Sequence, residues 1–185
     1  MSLVLQTRDH LVLRTLAESV RLLLVAGTAT LRGADAANTR KRMAKLEEVS
    51  LIQSISIFAQ PVPDISHPLC VWAPGDELPD PGAISWAARK RYRGISPRRM
   101  HAYVATNRTL EMYGVTSKRG NARHAPLRFK HHQATHDIGF AACVVANRHR
   151  FGEENHLVSE DVFPAEMKGW GMKVVDALLL APERD

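Results

Sequence analysis

Apolar positions in the first fifty residues recur at mixed three- and four-residue steps. Leu11, Leu13, Leu16, Val20, Leu23 and Leu24 mark the buried face of a helix. Thr7 or Asp9 can cap its start. Residues 20–31 predict the end of this helix, a break and a second short helix, weakened in the middle by Gly27, Thr28 and Thr30. Residues 33–38 form a turn, with Asp35 or Asn38 as the N-cap of a third helix that runs to Glu48. Its apolar side is Ala36, Met43, Leu46 and Val49, and its other side carries Arg40, Lys41, Arg42 and Lys45. The bases come first and the acids Glu47 and Glu48 follow. That order opposes the helix dipole at a cost of some tenths of a kcal/mol. Two explanations are open: a basic end kept for a ligand, or a solvated face with Arg/Lys–Glu pairs.

Residues 51–57 alternate as a strand does. Pro61, Pro63 and Pro68 make a loop, and 69–73 predict a second short strand, giving a two-stranded ribbon with a proline-rich tip. Three helices followed by a ribbon is the order of a winged helix-turn-helix. There the third helix enters the major groove and the wing lies along the backbone. Here the third helix is also the basic one, although the same fold can bind protein. Residues 74–82 are rich in turn formers and mark a domain boundary. Beyond it, 84–92 predict a short helix with Trp86 on its apolar side, 94–97 a break, 101–113 another helix, and 117–126 a polar, basic loop. Residues 132–146 predict a buried helix, and 156–163 and 174–180 two strands. The expected fold is α+β. A winged helix-turn-helix at 1–75 is followed by a basic connector with short helices at 76–130 and a small, partial α/β domain at 131–185.

Composition narrows the class. The 185 residues are 45% hydrophobic and 24% charged, an ordinary globular balance that excludes a collagen-like or wholly disordered chain. No apolar run reaches the roughly 20 residues of a membrane span, and no secretory signal is evident at the N-terminus. Cys70 and Cys143 are far apart, which argues against a disulfide framework and for a cytoplasmic setting. The net charge of +6 is unevenly spread. Residues 86–130 hold 12 basic side chains against the single acid Glu111, whereas the segments on either side are net acidic. Such a block favours a polyanion, most often nucleic acid.

Candidate chemistry is sparse. His132 and His136 are four apart and would share a helix face, a spacing that can bind zinc. Gln133 stands where an HExxH motif would have its glutamate. Asp176 lies within an apolar strand, where a lone carboxylate is costly unless paired or bound to a cation. With Asp137 on the preceding helix it would fill two places of a Mg²⁺-dependent nuclease site. The Glu-x-Lys that such a site needs on the following strand is absent, because nine residues follow Asp176; Glu166 and Lys168 have that spacing but precede it. Phosphate-binding glycine loops and nucleophile elbows are missing from the sequence. Cys143, Trp72, Trp86 and Trp170 read as packing residues, and no cofactor is expected.

Three segments carry a family resemblance. They are His131-His132-Gln133-Ala134-Thr135-His136-Asp137 at the head of an apolar helix, Ser159-Glu160-Asp161, and Trp170-Gly171-Met172-Lys173-Val174-Val175-Asp176 before an apolar run. Together with the order of the first 75 residues, they resemble the replication-relaxation family of plasmid and mobile-element proteins. That family pairs a winged helix with a restriction-endonuclease-like domain, and usually has Asn where this chain has His136. The resemblance implies a role in plasmid or mobile-element replication, maintenance or transcriptional control. The expected partner is double-stranded DNA, with a second copy of the chain or another replication protein beside it. Arg40, Lys41, Arg42 and Lys45 are expected to face DNA from the third helix, with Arg40 and Arg42 as base readers. Arg89, Lys90, Arg91, Arg98 and Arg99 are expected on phosphates. The alternatives are a metal-dependent nuclease and a winged-helix adaptor for protein partners.

Overall fold

The computed structural model describes residues 3–63, 70–71, 75–115 and 133–149, together with the backbone of 150–151, 156–159 and 177–180. Within these residues the fold is mixed α+β. Helix α1 (Thr7–Arg14) runs into a π-helical turn at Thr15–Ser19 and a two-residue strand β1 (Leu23–Leu24). Helices α2 (Val25–Arg32) and α3 (Ala36–Glu48) follow, then strand β2 (Ile52–Ala59), helix α4 (Pro81–Tyr92), strand β3 (Arg98–Ala105) and helix α5 (Asn107–Met112). The long helix α6 (Ala134–Phe151) precedes an antiparallel pair, β4 (His156–Ser159) and β5 (Ala177–Leu180).

Local signals explain the first three helices. Asp9 is not the cap of α1 but its third residue; it completes a capping box by accepting from the Gln6 backbone N–H at 2.9 Å. Gly33 ends α2 in the left-handed conformation (φ 56°) that glycine adopts without penalty. Asp35 then caps α3, accepting from the Asn38 N–H at 2.8 Å.

A buried ion cluster joins the three helices. Asp9 has no exposed surface. It pairs with Arg32 from the last turn of α2 and with Arg42 of α3, whose Nη2 lies 2.5 Å away. Arg42 also donates to the Val4 carbonyl at 2.7 Å. Burial works to raise the Asp9 carboxyl, but hydrogen bonds from Arg42, the Gln6 backbone and Arg32 overcome it and hold the group below the usual aspartate range. Around this cluster, Val12, Leu13, Leu16, Met43 and Leu46 pack with Ile52 and Tyr103 of the sheet.

The sheet has the order β1-β3-β2 and is antiparallel throughout. The partner of β2 is therefore Arg98–Ala105 and not 69–73. Of that expected strand, Cys70 and Val71 are exposed and lie in no strand; 69, 72 and 73 lie outside the described residues. The helix expected at 101–113 is instead the end of β3 followed by α5. The boundary expected at 74–82 falls between two strands of one sheet. Helix α6 belongs to the same core as α1, α2 and α3. Its Val144 and Val145 pack among the helices, while Ala134 and Ile138 pack with Leu22, Ile57, Ala102 and Val104 on the other face of the sheet. Arg148 anchors it to the π-turn, donating to the Thr15 hydroxyl at 2.8 Å and the Ser19 hydroxyl at 3.3 Å. Cys143, expected in the core, is exposed on α6.

Asp9→Asn is expected to lower stability by about 3–5 kcal/mol, the range for removing one partner of a buried ion pair, read from the urea-unfolding midpoint. Because the folded carboxyl titrates below its unfolded value of about 3.9, its contribution is complete above about pH 5 and drains away as pH falls toward the folded value. The wild-type midpoint should therefore fall with acid below pH 5, and Asp9→Asn should flatten that part of the profile.

Candidate nucleic-acid interface

Helix α3 turns Thr39, Met43 and Leu46 inward, leaving Arg40, Lys41 and Lys45 exposed. Arg42 is the exception among the four expected DNA-facing residues. It points to Asp9 and serves the core, so it cannot read bases without abandoning a buried carboxylate. The acids at the end of α3 have a local explanation. Among the described strands β2 lies at the edge of the sheet, and Glu47 accepts from the Ser54 N–H at 2.7 Å and the Ser54 hydroxyl at 2.9 Å. Arg40 precedes Glu47 by seven residues, close to two helical turns, so both lie on the ribbon side of α3. The Tyr103 hydroxyl registers this placement. Burial raises its pKa, and the Arg40 charge works against the rise.

The β2–β3 register sets what the ribbon shows. Directly opposed residues share a face. Ser54 with Tyr103, Ser56 with His101, and Phe58 with Arg99 form one row. At its near end Tyr103 is buried under the helices. At its far end Ser56, Phe58, Arg99 and His101 are exposed, Phe58 by 64%. A basic helix face and a protruding ribbon with an exposed aromatic thus stand on the same side of the sheet. Phe58, Ser56 and His101 are absent from the sequence-derived site. The signal for Phe58 was present, since it keeps the parity of Ser54 and Ser56 in a strand whose Ile55, Ile57 and Ala59 face inward.

The other predicted cations divide. Arg98 lies opposite Ala59, on the face away from Phe58. Arg89 and Lys90 are exposed on α4, and Lys90 holds its ammonium 5.1 Å from the centre of the Trp86 ring. Trp86, expected on a packed side, is 65% exposed. Arg91 of α4 is half-buried. Helix α4 does not share a strand row with α3; it lies in the connection between β2 and β3. Gln60 closes the base of that connection by donating to the Ile95 carbonyl at 3.1 Å.

Of the expected acid and metal residues, Asp137 and His136 fall within the described residues. Asp137 is 7% exposed, with Arg21 at 3.6 Å and the His136 ring at 3.4 Å. Among the described residues no group of three or more His, Cys, Asp or Glu side chains is placed to hold a metal. His132 and Asp176 lie outside the described residues. No helix among the described residues is long and apolar enough to cross a membrane. Comparison of the chain with protein-family models, curated proteins and solved structures finds no match.

Arg42→Ala should lower stability by about 2–3 kcal/mol, because it strips charge-assisted bonds from a buried carboxylate. Arg40→Ala and Lys41→Ala should stay within about 0.5 kcal/mol of wild type, as exposed substitutions do. Thermal unfolding of the three variants separates the structural arginine from the exposed cations.

Proposed function

We propose that the helix–strand–helix–helix–strand–strand unit is a winged helix that binds double-stranded DNA. The observation that carries this reading is the exposed Arg40, Lys41 and Lys45 of α3 on the same side of the sheet as the exposed Phe58, Arg99 and His101 row of the ribbon. Helix α3 enters the major groove through its N-terminal half, and the ribbon lies along the neighbouring backbone. Arg40 is the base reader, and Lys41, Lys45 and Arg99 hold phosphates. Phosphate contacts give affinity, while sequence choice comes from base edges. A place in plasmid or mobile-element replication, or in its transcriptional control, is the role proposed for this activity. Its support is the residue resemblance alone.

The test is fluorescence anisotropy of a labelled random 20-base-pair duplex at rising salt. Wild type should show a steep salt response, with a logarithmic slope of about 0.9 per phosphate contacted. Arg40→Glu/Lys41→Glu should weaken binding about tenfold or more and lower the slope by about 1–2. A salt-independent affinity, or an unchanged double variant, would overturn the reading. A complex with a protein partner that ignores the same charge reversal would favour the adaptor instead.

A further inference from the structure

Helix α4 is poorly explained by packing. None of its residues is fully buried, and its tryptophan, Trp86, is 65% exposed. It nevertheless has its own start, with Pro81 in the first turn and Asp80 accepting from the Gly82 N–H at 2.8 Å. It carries no acid between Pro81 and Tyr92, and Arg89, Lys90 and Arg91 close it. Bases in a last turn do favour the helix dipole. That accounts for charge at the end of α4 but not for an indole left in solvent.

Trp86, Arg89, Lys90, Tyr92 and Arg93 line an open groove of about 460 Å³. The Lys90 ammonium stands over the Trp86 ring, so a cation and an aromatic surface are presented together. We infer that α4 is a second nucleic-acid site, one that takes an unpaired strand: a base stacks on Trp86 while Arg89, Lys90 and Arg93 hold the flanking phosphates. Charge complementarity selects a polyanion. The exposed indole selects a single strand within that class, because every unpaired base offers a π-face and a base inside a duplex has already stacked on its neighbours. This inference extends the DNA-binding reading of α3 but uses different residues, so the two can fail separately.

The experiment uses the full chain with a labelled twelve-nucleotide thymidine strand, the 20-base-pair duplex and a poly-glutamate peptide. Trp86→Ala should weaken the thymidine strand about fivefold to a hundredfold, the range for losing one base–aromatic stack, and leave duplex affinity within about twofold. Trp86→Phe, which keeps a ring, should retain most of the single-strand affinity. The thymidine strand should quench tryptophan emission in wild type more than in Trp86→Phe. Arg40→Glu/Lys41→Glu should weaken the duplex and spare the single strand. Unchanged single-strand affinity in Trp86→Ala would overturn the inference, as would equal losses on duplex and single strand. Trp86-dependent binding of poly-glutamate as tight as that of the thymidine strand would overturn it in favour of an acidic peptide.

Discussion

A carboxylate with no exposed surface has to be neutralised where it stands. Asp9 is met by one arginine from α2 and one from α3. A third anchor, the Gln6 N–H, comes from its own helix start. Desolvating three charges costs several kcal/mol per ion, and their attraction repays this only with good geometry. Hydrophobic contacts among Val12, Leu13, Met43 and Leu46 would let the helices slide at small cost. The Asp9 cluster is directional and fixes how α3 is rotated about its axis. With Arg42 drawn to Asp9 and Thr39, Met43 and Leu46 turned into the core, Arg40, Lys41 and Lys45 are left exposed. The same bond that organises the core therefore decides which cations remain available.

The ribbon depends on this arrangement from the other side. Its near half is sandwiched, with Tyr103 and Ile52 under the three helices and Val104 and Ala102 against α6. Glu47 ties the last turn of α3 to the open edge of β2 through Ser54. The far half beyond Ser56 and His101 has helical cover on only one face, which leaves Phe58 in solvent. The exposed side of α3 and the far half of the ribbon are thereby held on the same side of the sheet. Such preorganised elements lose little freedom on binding, which favours affinity.

The three helices were legible because each carries its signal locally: a 3.6-residue apolar rhythm, an Asp35 cap, and a Gly33 stop. The rhythm runs on past the π-turn at Ser19 into Leu23 and Leu24, which are strand β1 paired with β3 and not the helix face expected there. Strand β2 was legible from its alternation. Strand β3 was not. Its outer residues Arg98, Arg99 and His101 are polar, and Ala102, Tyr103, Val104 and Ala105 are buried on both faces, so period-two alternation is lost. A continuous apolar stretch next to Leu110 and Met112 reads as a helix. The pairing error at 69–73 has a different cause. It took the nearest apolar run as the partner, whereas the true partner lies across a connection that holds a whole helix. Of the site, Arg40, Lys41 and Lys45 were legible as a basic helix face. The inward turn of Arg42 was not, because it depends on Asp9, 33 residues away in sequence.

Counting charge along the chain treats every arginine as equally free, and the structure separates them. Arg32, Arg42 and Arg148 are engaged in the core by a buried carboxylate or buried hydroxyls, and Arg21 lies beside the nearly buried Asp137. These cations belong to folding, and their charge is cancelled or screened within the protein. Arg40, Lys41, Lys45, Arg89 and Lys90 are exposed, with Arg99 at the end of the ribbon. Three of those are on α3 and two on α4; of the two exposed rings, Phe58 stands opposite Arg99 on the ribbon and Trp86 lies under Lys90 on α4. A basic surface evolved for solubility alone would gain nothing from leaving those rings in water, since each forgoes the stabilisation of burial. Exposed cation and bare ring thus coincide at two separate places, a combination that burial alone does not explain.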